Sequence, residues 1–315
     1  HLFNIQTAEE SWRSCELAIA NRKPVALSPI YWDPLPGWFN SAPDKRPVWR
    51  TLRRVLGYRL SFKVYHVWHH KRLQSNGIWQ IQRQLLMSAD VILPNSMTEA
   101  SQLRRDFHLP PNISGRTRVV PNAVDRKLFE PKPQPSVKAR EKFGGNGLVL
   151  QVGRISPEKN QLGLIEALEH TDVPLLFVGS ASPYDPDYAQ LCYRRGAERG
   201  RVFFEEWMPH ERLPGVYALA TVHALPSWRE TPGLASLEAA ARGCRVVSTC
   251  IGSAREYFGS KAWYCHPADR ASIRRAVENA LSAPSTDDLR RHVLANFTWE
   301  KAAQATLEGY QLVVE

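Results

Sequence analysis

The sequence predicts an α/β protein built on doubly wound parallel sheets, and three observations carry that prediction. From residue 147 onward, short apolar and β-branched runs alternate with segments of helical periodicity. Those runs are apolar throughout, as strands covered on both faces by helices must be. At 315 residues the chain is long enough for two domains, each with a core of its own.

In the first part, HLFNI (1–5), PVALSPI (24–30), DVILPN (90–95) and TRVVPN (117–122) are the strand candidates, with a basic, aromatic region inserted between the second and third. The segment PNAVDRKLFEPKPQPS (121–136) reads as the linker, because three prolines after Phe129 forbid a continuous helix. Beyond it the βα pairs run in order: GLVLQVGR then QLGLIEAL, PLLFVGS then a polar stretch to Gly200, and RVFFEEW then ERLPGVYAL. TVHALPS then GLASLEAAARG, CRVVSTC then SAREYFG, and AWYCH then a helix from about Arg270 complete the series. The expected domains are 1–132 and 133–315, with the last helix, about 298–315, packing back on the first. The chain opens at His1 in a strand already under way, which reads as a missing N-terminal start.

Composition narrows the class. Hydrophobic residues at 43% and charged residues at 23% are ordinary for a globular protein, and no apolar run approaches the ~20 residues of a spanning helix. Five cysteines without a C-x-x-C pair suggest neither a disulfide framework nor a zinc ribbon, and a cytoplasmic setting fits. The net charge of +10 lies wholly in residues 1–134, where twenty Lys and Arg face ten Asp and Glu. Ten of those cations, among them Arg50, Arg53, Arg54 and Arg59, fall in the acid-free stretch 45–89, interleaved with Trp49, Tyr58, Phe62, Tyr65, Trp68 and Trp79. A solvated helical face over an aromatic core, an amphipathic segment on anionic lipid and a nucleic-acid groove all have this pattern. With no recognisable nucleic-acid module beside it, the membrane surface ranks above nucleic acid.

In an open parallel sheet, ligands sit beyond the carboxyl ends of the strands. There the sequence places Gly153-Arg154, Gly179-Ser180, Trp207-Met208, Pro226-Ser227 and Thr249-Cys250. No G-x-G-x-x-G loop follows a strand, which disfavours a dehydrogenase. In VGRISPEKN, Arg154 ends a strand and Lys159 precedes a helix, so both cations can converge on a diphosphate near helix amides. Pairing with Glu158 or with solvent is the plainer alternative. In PSWRETPGLASLEAAARG (226–243), Glu230 lies in a loop, Thr231, Pro232 and Gly233 lead into a helix with Leu234, and Glu238 sits more than one turn inside it. Amides near Gly233 and Leu234 suit phosphate, and carboxylates suit sugar hydroxyls, so a nucleotide-linked sugar fits the division. A surface Glu230 and a capping Glu238 remain the bland alternative.

These segments resemble the family 4 glycosyltransferases of the GT-B fold, two Rossmann-like domains facing across a cleft. VGRISPEKN is similar to the family's VGR-x-x-x-x-K-N, and Glu230 and Glu238 match its E-x7-E pattern, followed by Glu238-Ala239, Ala241 and Gly243. ADVILPNSMTEA (89–100) and VVPNAVD (119–125) resemble segments at the end of its N-terminal domain. The resemblance implies that Arg154 and Lys159 bind the donor diphosphate with help from the Gly233 and Leu234 amides. It implies that Glu238 binds the ribose diol, that Glu230 contacts the transferred sugar as the catalytic carboxylate, and that the Met208 backbone reads the base. It further implies transfer with retention, a nucleoside diphosphate sugar as co-substrate, and no metal or other cofactor.

Two features depart from the family. Its N-terminal glycine-rich loop has no counterpart, and where it commonly shows a His after the PVALSPI strand this chain has Tyr31-Trp32-Asp33. His66, His69 and His70 read as surface residues. The expected function is therefore retaining transfer of a sugar to a hydroxyl of a lipid-linked or polysaccharide acceptor, at an anionic membrane surface. An epimerase or hydrolase on the same fold, and a non-catalytic nucleotide-sugar-binding subunit, are the alternatives.

Overall fold

The computed structural model describes residues 1–41, 47–129, 141, 143 and 147–314. The chain divides into two compact units, His1–Pro121 with Glu300–Glu315, and Asn122–Trp299.

The first unit begins with β1 (Leu2–Phe3), α1 (Ala8–Ala20), β2 (Ala26–Ser28), α2 (Leu35–Ser41) and α3 (Pro47–Gln74). It continues through α4 (Gly77–Ser88), β3 (Val91–Ile92) and α5 (Met97–Asp106). Its strands form a parallel sheet in the order β1-β2-β3, so β2 is central. Leu27 and Ile92 from that sheet pack with Leu85 and Leu86 of α4 and with Leu103 and Phe107. The stretch 117–122 is not a strand. Thr117 bridges Ile92, and the Arg118 and Val120 amides donate to Ile92 and Pro94. Pro94 and Pro121 have no N–H with which to extend that ladder.

Residues 121–129, the described part of the expected linker, are not simply a linker. Asp125 Oδ1 accepts from the Lys127 and Leu128 amides at the start of α6 (Arg126–Phe129), and Phe129 is fully buried in the second unit's core. The Val124 amide donates to the Phe297 carbonyl. The division therefore falls at Pro121–Asn122, ahead of the expected boundary at 132–133; residues 130–140 lie outside the described residues.

The second unit runs β4 (Val149–Val152), α7 (Gln161–Ala167), β5 (Leu175–Val178), α8 (Pro186–Arg199), β6 (Val202–Glu205) and α9 (Leu213–Leu219). It goes on through β7 (Val222–Leu225), α10 (Leu234–Ala241), β8 (Arg245–Thr249) and α11 (Ala254–Phe258). β9 (Trp263–Cys265), α12 (Arg270–Ser282) and α13 (Asp288–Asn296) close it. The six strands are all parallel, in the order β6-β5-β4-β7-β8-β9. This is doubly wound topology: the winding reverses between β4 and β7, and loops beyond those two strands form the crevice in which such sheets bind ligands. Two buried clusters, around Leu150, Leu237 and Val246 and around Phe177, Val247 and Val277, make up its core. α14 (Trp299–Val314) returns to the first unit, where Tyr310 and Val313 pack against Val91 and Leu93.

Candidate active site

The loops after β4 and β7 bring Lys159, Glu230 and Gly233 together, while Glu238 bonds a separate pair of side chains, Tyr217 and His210. Gly153 and Gly179 end neighbouring strands at φ 148 and 143, and a Cβ on Gly179 would strike the Gly153 carbonyl, so the two turns approach as only glycine allows. Arg154 follows, exposed. Lys159 is held by the residue after it. Asn160 adopts a left-handed conformation and its Nδ2 donates to the Pro226 and Pro267 carbonyls, 3.0 Å each.

Lys159 does not pair with Glu158. Its Nζ lies 2.7 Å from Glu230 Oε1, while Glu158 lies 3.5 Å from Arg229. Glu230 is buried at 5% exposure rather than waving in an open loop. Its amide donates to the Ile251 carbonyl, and its own carbonyl accepts from the Ser253 amide at 2.8 Å. Gly252 permits that seam, since a Cβ there would collide with the Glu230 carbonyl. A carboxylate so fixed, with an ammonium on one oxygen, is a preorganised electrostatic element. The Ser227 and Ser253 hydroxyls on these two loops are buried without a hydrogen-bond partner among the described residues.

After Glu230 the chain passes half-buried Thr231 and buried Pro232 to Gly233, the N-cap of α10, and exposed Leu234 begins the helix. The helix's first bonds run from Ser236 and Leu237 back to the Gly233 carbonyl, so the Leu234 and Ala235 amides have no intrahelical partner, the kind of helix start that suits an anion. Glu238 lies one turn further. Its Oε2 accepts from the Tyr217 hydroxyl at 2.8 Å and its Oε1 lies 2.9 Å from His210 Nε2. Burial, with Glu238 beside it, holds the Tyr217 phenol protonated as a donor. Met208 is half-buried against the core, just past the end of β6.

Two residues beside the candidate site carry no assignment from sequence. Asn122, within VVPNAVD, donates from Nδ2 to the Thr231 carbonyl at 2.8 Å, and its amide donates to the Tyr257 hydroxyl at 2.9 Å. His223 is fully buried in β7, accepting from the Val152 amide and lying 3.3 Å from Ser236 Oγ. Burial, and secondarily the nearby Lys159 charge, push its pKa down to about 3, so it is neutral. No local spacing marks either residue, since the partners lie far along the chain.

The first unit corrects two readings. His69 is buried beside Trp49, Tyr65 and Trp68, and His66 is half-buried with Nε2 3.1 Å from Asp33 Oδ2, so they are not simple surface residues. Nor are all four arginines surface cations. Arg54 and Arg59 are exposed, whereas half-buried Arg53 sets its guanidinium over Tyr58 and Phe39; the Arg50 side chain, Lys45 and Arg46 lie outside the described residues.

The chain belongs to the glycosyl transferases group 1 family, which it matches over residues 134–296. It is 27% identical over 244 residues to O-antigen chain mannosyltransferase B of Escherichia coli, covering 72% of this chain and 62% of that protein. It thus spans less than two thirds of that relative. A D-inositol 3-phosphate glycosyltransferase of Acidothermus cellulolyticus is 26% identical over 308 residues, 88% of this chain and 68% of its own length. Among solved structures, Anabaena HepE in complex with UDP superposes with a TM-score of 0.70 at 21% identity, covering 98% of this chain and 80% of that one. The likeness places the fold in the GT-B class of Rossmann-like domains.

Proposed function

We propose that this chain transfers a sugar from a nucleoside diphosphate sugar to a hydroxyl of a lipid-linked or polysaccharide acceptor, with retention of anomeric configuration. The bond from the anomeric carbon to the diphosphate oxygen breaks, the acceptor oxygen bonds to that carbon, and the hydroxyl proton leaves with the departing diphosphate. The observation that carries the reading is the Lys159–Glu230 pair at the switch point of the second unit's sheet, between the Gly153 turn and the start of α10. Arg154, Lys159 and the α10 amides stabilise the leaving diphosphate, Glu230 faces the positive anomeric centre, and Glu238 takes the ribose diol. The HepE complex with UDP, on the same fold, supports a nucleotide ligand. No metal or other cofactor enters this reading, in which Arg154, Lys159 and the α10 amides are the groups that meet the diphosphate. Calorimetry with UDP and GDP against uridine and guanosine tests it: the diphosphates bind far more tightly. Lys159→Ala removes a charge-assisted contact of about 1.5–3 kcal/mol, roughly ten- to hundredfold in affinity. Equal affinity for nucleoside and diphosphate would refute the assignment.

The acceptor side is a membrane surface of anionic lipid, and α3 supports that reading. Gly57 at φ 70 breaks the helix, and in its second half Ser61, Tyr65 and His69 are buried while Leu60, Val64, Val67 and Trp68 stay exposed. Arg59, Lys63, Lys71 and Arg72 are exposed alongside them. An apolar stripe bordered by cations and no acid fits an anionic bilayer. Among the described residues no helix is long and apolar enough to cross a membrane. Co-sedimentation with phosphatidylglycerol vesicles, lost on phosphatidylcholine, in high salt, or when Arg54, Arg59, Lys63 and Lys71 become Gln, is the expected result. Binding that ignores lipid charge returns α3 to a solvated face.

A further inference from the structure

In the first unit, residues far apart in sequence converge on the turn after the central strand β2. Ile30 sits there at φ 49, a conformation that a β-branched residue rarely adopts. Side chains hold it. Glu99, 2% exposed on α5, accepts from the Tyr31 amide at 2.5 Å and from the Asn95 amide at 2.6 Å. The Tyr31 hydroxyl donates to Asp106 at 3.0 Å, and the Tyr31 ring packs edge-on against Phe107. Strain fixed this firmly is characteristic of functional turns.

The turn presents Asp33. Its Oδ1 accepts from the Leu35 amide at the start of α2, and its Oδ2 bonds His66 Nε2. With Nε2–H committed to the carboxylate, Nδ1 of the neutral ring is the free acceptor. The imidazole is fixed by stacking on His70 and an edge contact with Phe62, yet its side chain keeps 35% of its surface open. A base oriented by a half-buried carboxylate, on the turn at the carboxyl end of a central parallel strand, is built to meet a ligand.

We propose that the Asp33–His66 dyad is a hydroxyl-recognition site of the first unit, in which His66 Nδ1 accepts the O–H of a sugar or polyol acceptor while Glu99 and Tyr31 hold the turn in place. This rests on the transferase reading for its substrate class and names the residues on the acceptor side. The groups facing His66 are Asp33 from the turn, Asp106 and Arg105 from α5, and His70 from its own helix. The Asp33 hydrogen bond, opposed by burial, raises the His66 pKa, so hydroxyl acceptance is lost as pH falls through that raised value.

The test is 15N NMR of the histidine rings of the intact chain, titrated with methyl α-D-mannopyranoside and with D-myo-inositol 3-phosphate, beside UDP and GDP calorimetry on the same samples. The His66 resonances, identified by their loss in His66→Gln, are expected to move with at least one probe. His66→Gln weakens that probe at least tenfold with diphosphate affinity unchanged. Asp33→Asn moves the pH midpoint of probe binding downward, which a merely structural pair would not do, and it serves if His66→Gln melts early. Resonances that ignore both probes, or a His66→Gln chain that binds them like the parent, overturn the proposal. Loss of diphosphate binding in the parent would instead refute the transferase reading.

Discussion

The two units place polar side chains at the carboxyl ends of parallel strands in opposite ways. In the second unit the groups come from loops immediately after β4 and β7 and from the first turns of α10, so Lys159, Glu230 and Glu238 occupy two short segments. In the first unit Tyr31, Asp33, His66, Glu99 and Asp106 come from three distant segments and meet only through folding. The second unit writes its candidate site locally; the first writes its proposed site in packing. A phosphate site needs backbone amides and cations at fixed spacing, which one strand-loop-helix unit supplies, whereas a hydroxyl site can recruit side chains from anywhere.

The largest expected break in this comparison is within the second unit. Glu230 and Glu238 share one motif but not one environment: the first is pinned to Lys159 and the β8 loop, the second to Tyr217 and His210. Glu230→Gln should lower turnover by about 10²–10³, the scale of a transition-state electrostatic contact, with nucleotide affinity nearly unchanged. Glu238→Ala should instead weaken UDP or GDP binding with a smaller effect on the chemical step. Single-turnover assays beside calorimetry separate them, and the reverse pattern would exchange the two roles.

Legibility followed the same divide. The βα rhythm of 147–282 is written in residue types that favour one state each, and every strand read there appears, from Val149–Val152 to Trp263–Cys265. The first sheet is less legible because its strands are two or three residues long, and the ladder at TRVVPN is cut short by prolines that donate no hydrogen bond. Arg154, Lys159, Gly233 and Glu238 lie where strand ends and helix starts had placed them. His66 escaped because its partner Asp33 is thirty-three positions away, and nothing in the spacing of a helical basic run announces such a pair. Glu99 sits at the third position of α5 after the N-cap Ser96, where a capping role is the ordinary expectation, but it reaches to Tyr31 instead.

Glu99 offers a way to sharpen the contrast through pH. Burial, only partly offset by the two amide hydrogen bonds, raises its pKa from 4.5 to about 7. The folded state therefore holds a proton that the unfolded chain has already released between those values. Its contribution to stability is full below pH 4.5 and is withdrawn as pH rises to about 7, by roughly 3 kcal/mol at most. Hydrogen-exchange protection at the Tyr31 and Asn95 amides, corrected for intrinsic rate, should fall over that window and flatten above it. The slope should vanish in Glu99→Gln; a slope that survives belongs to another group.

The smallest expected effect concerns Asn122, which borders the second unit's proposed site. Asn122 ties the segment entering the unit to the Thr231 carbonyl, between Glu230 and the start of α10, while its amide bonds Tyr257 on α11. Asn122→Ala keeps the amide bond but leaves the Thr231 carbonyl without its donor, a neutral hydrogen bond of about 1 kcal/mol. The α10 amides and Glu230 then lose part of their relative fixation, and UDP or GDP affinity should fall about fivefold by calorimetry. Asn122→Asp sets an acceptor against a carbonyl and should weaken binding further. Asp125→Ala is the control, because it removes the cap of α6 nearby without touching Thr231, and it should leave affinity unchanged. If Asn122→Ala binds both diphosphates like the parent while melting normally, the loop is held by the Ile251 and Ser253 seam alone, and Asn122 has no part in positioning the site.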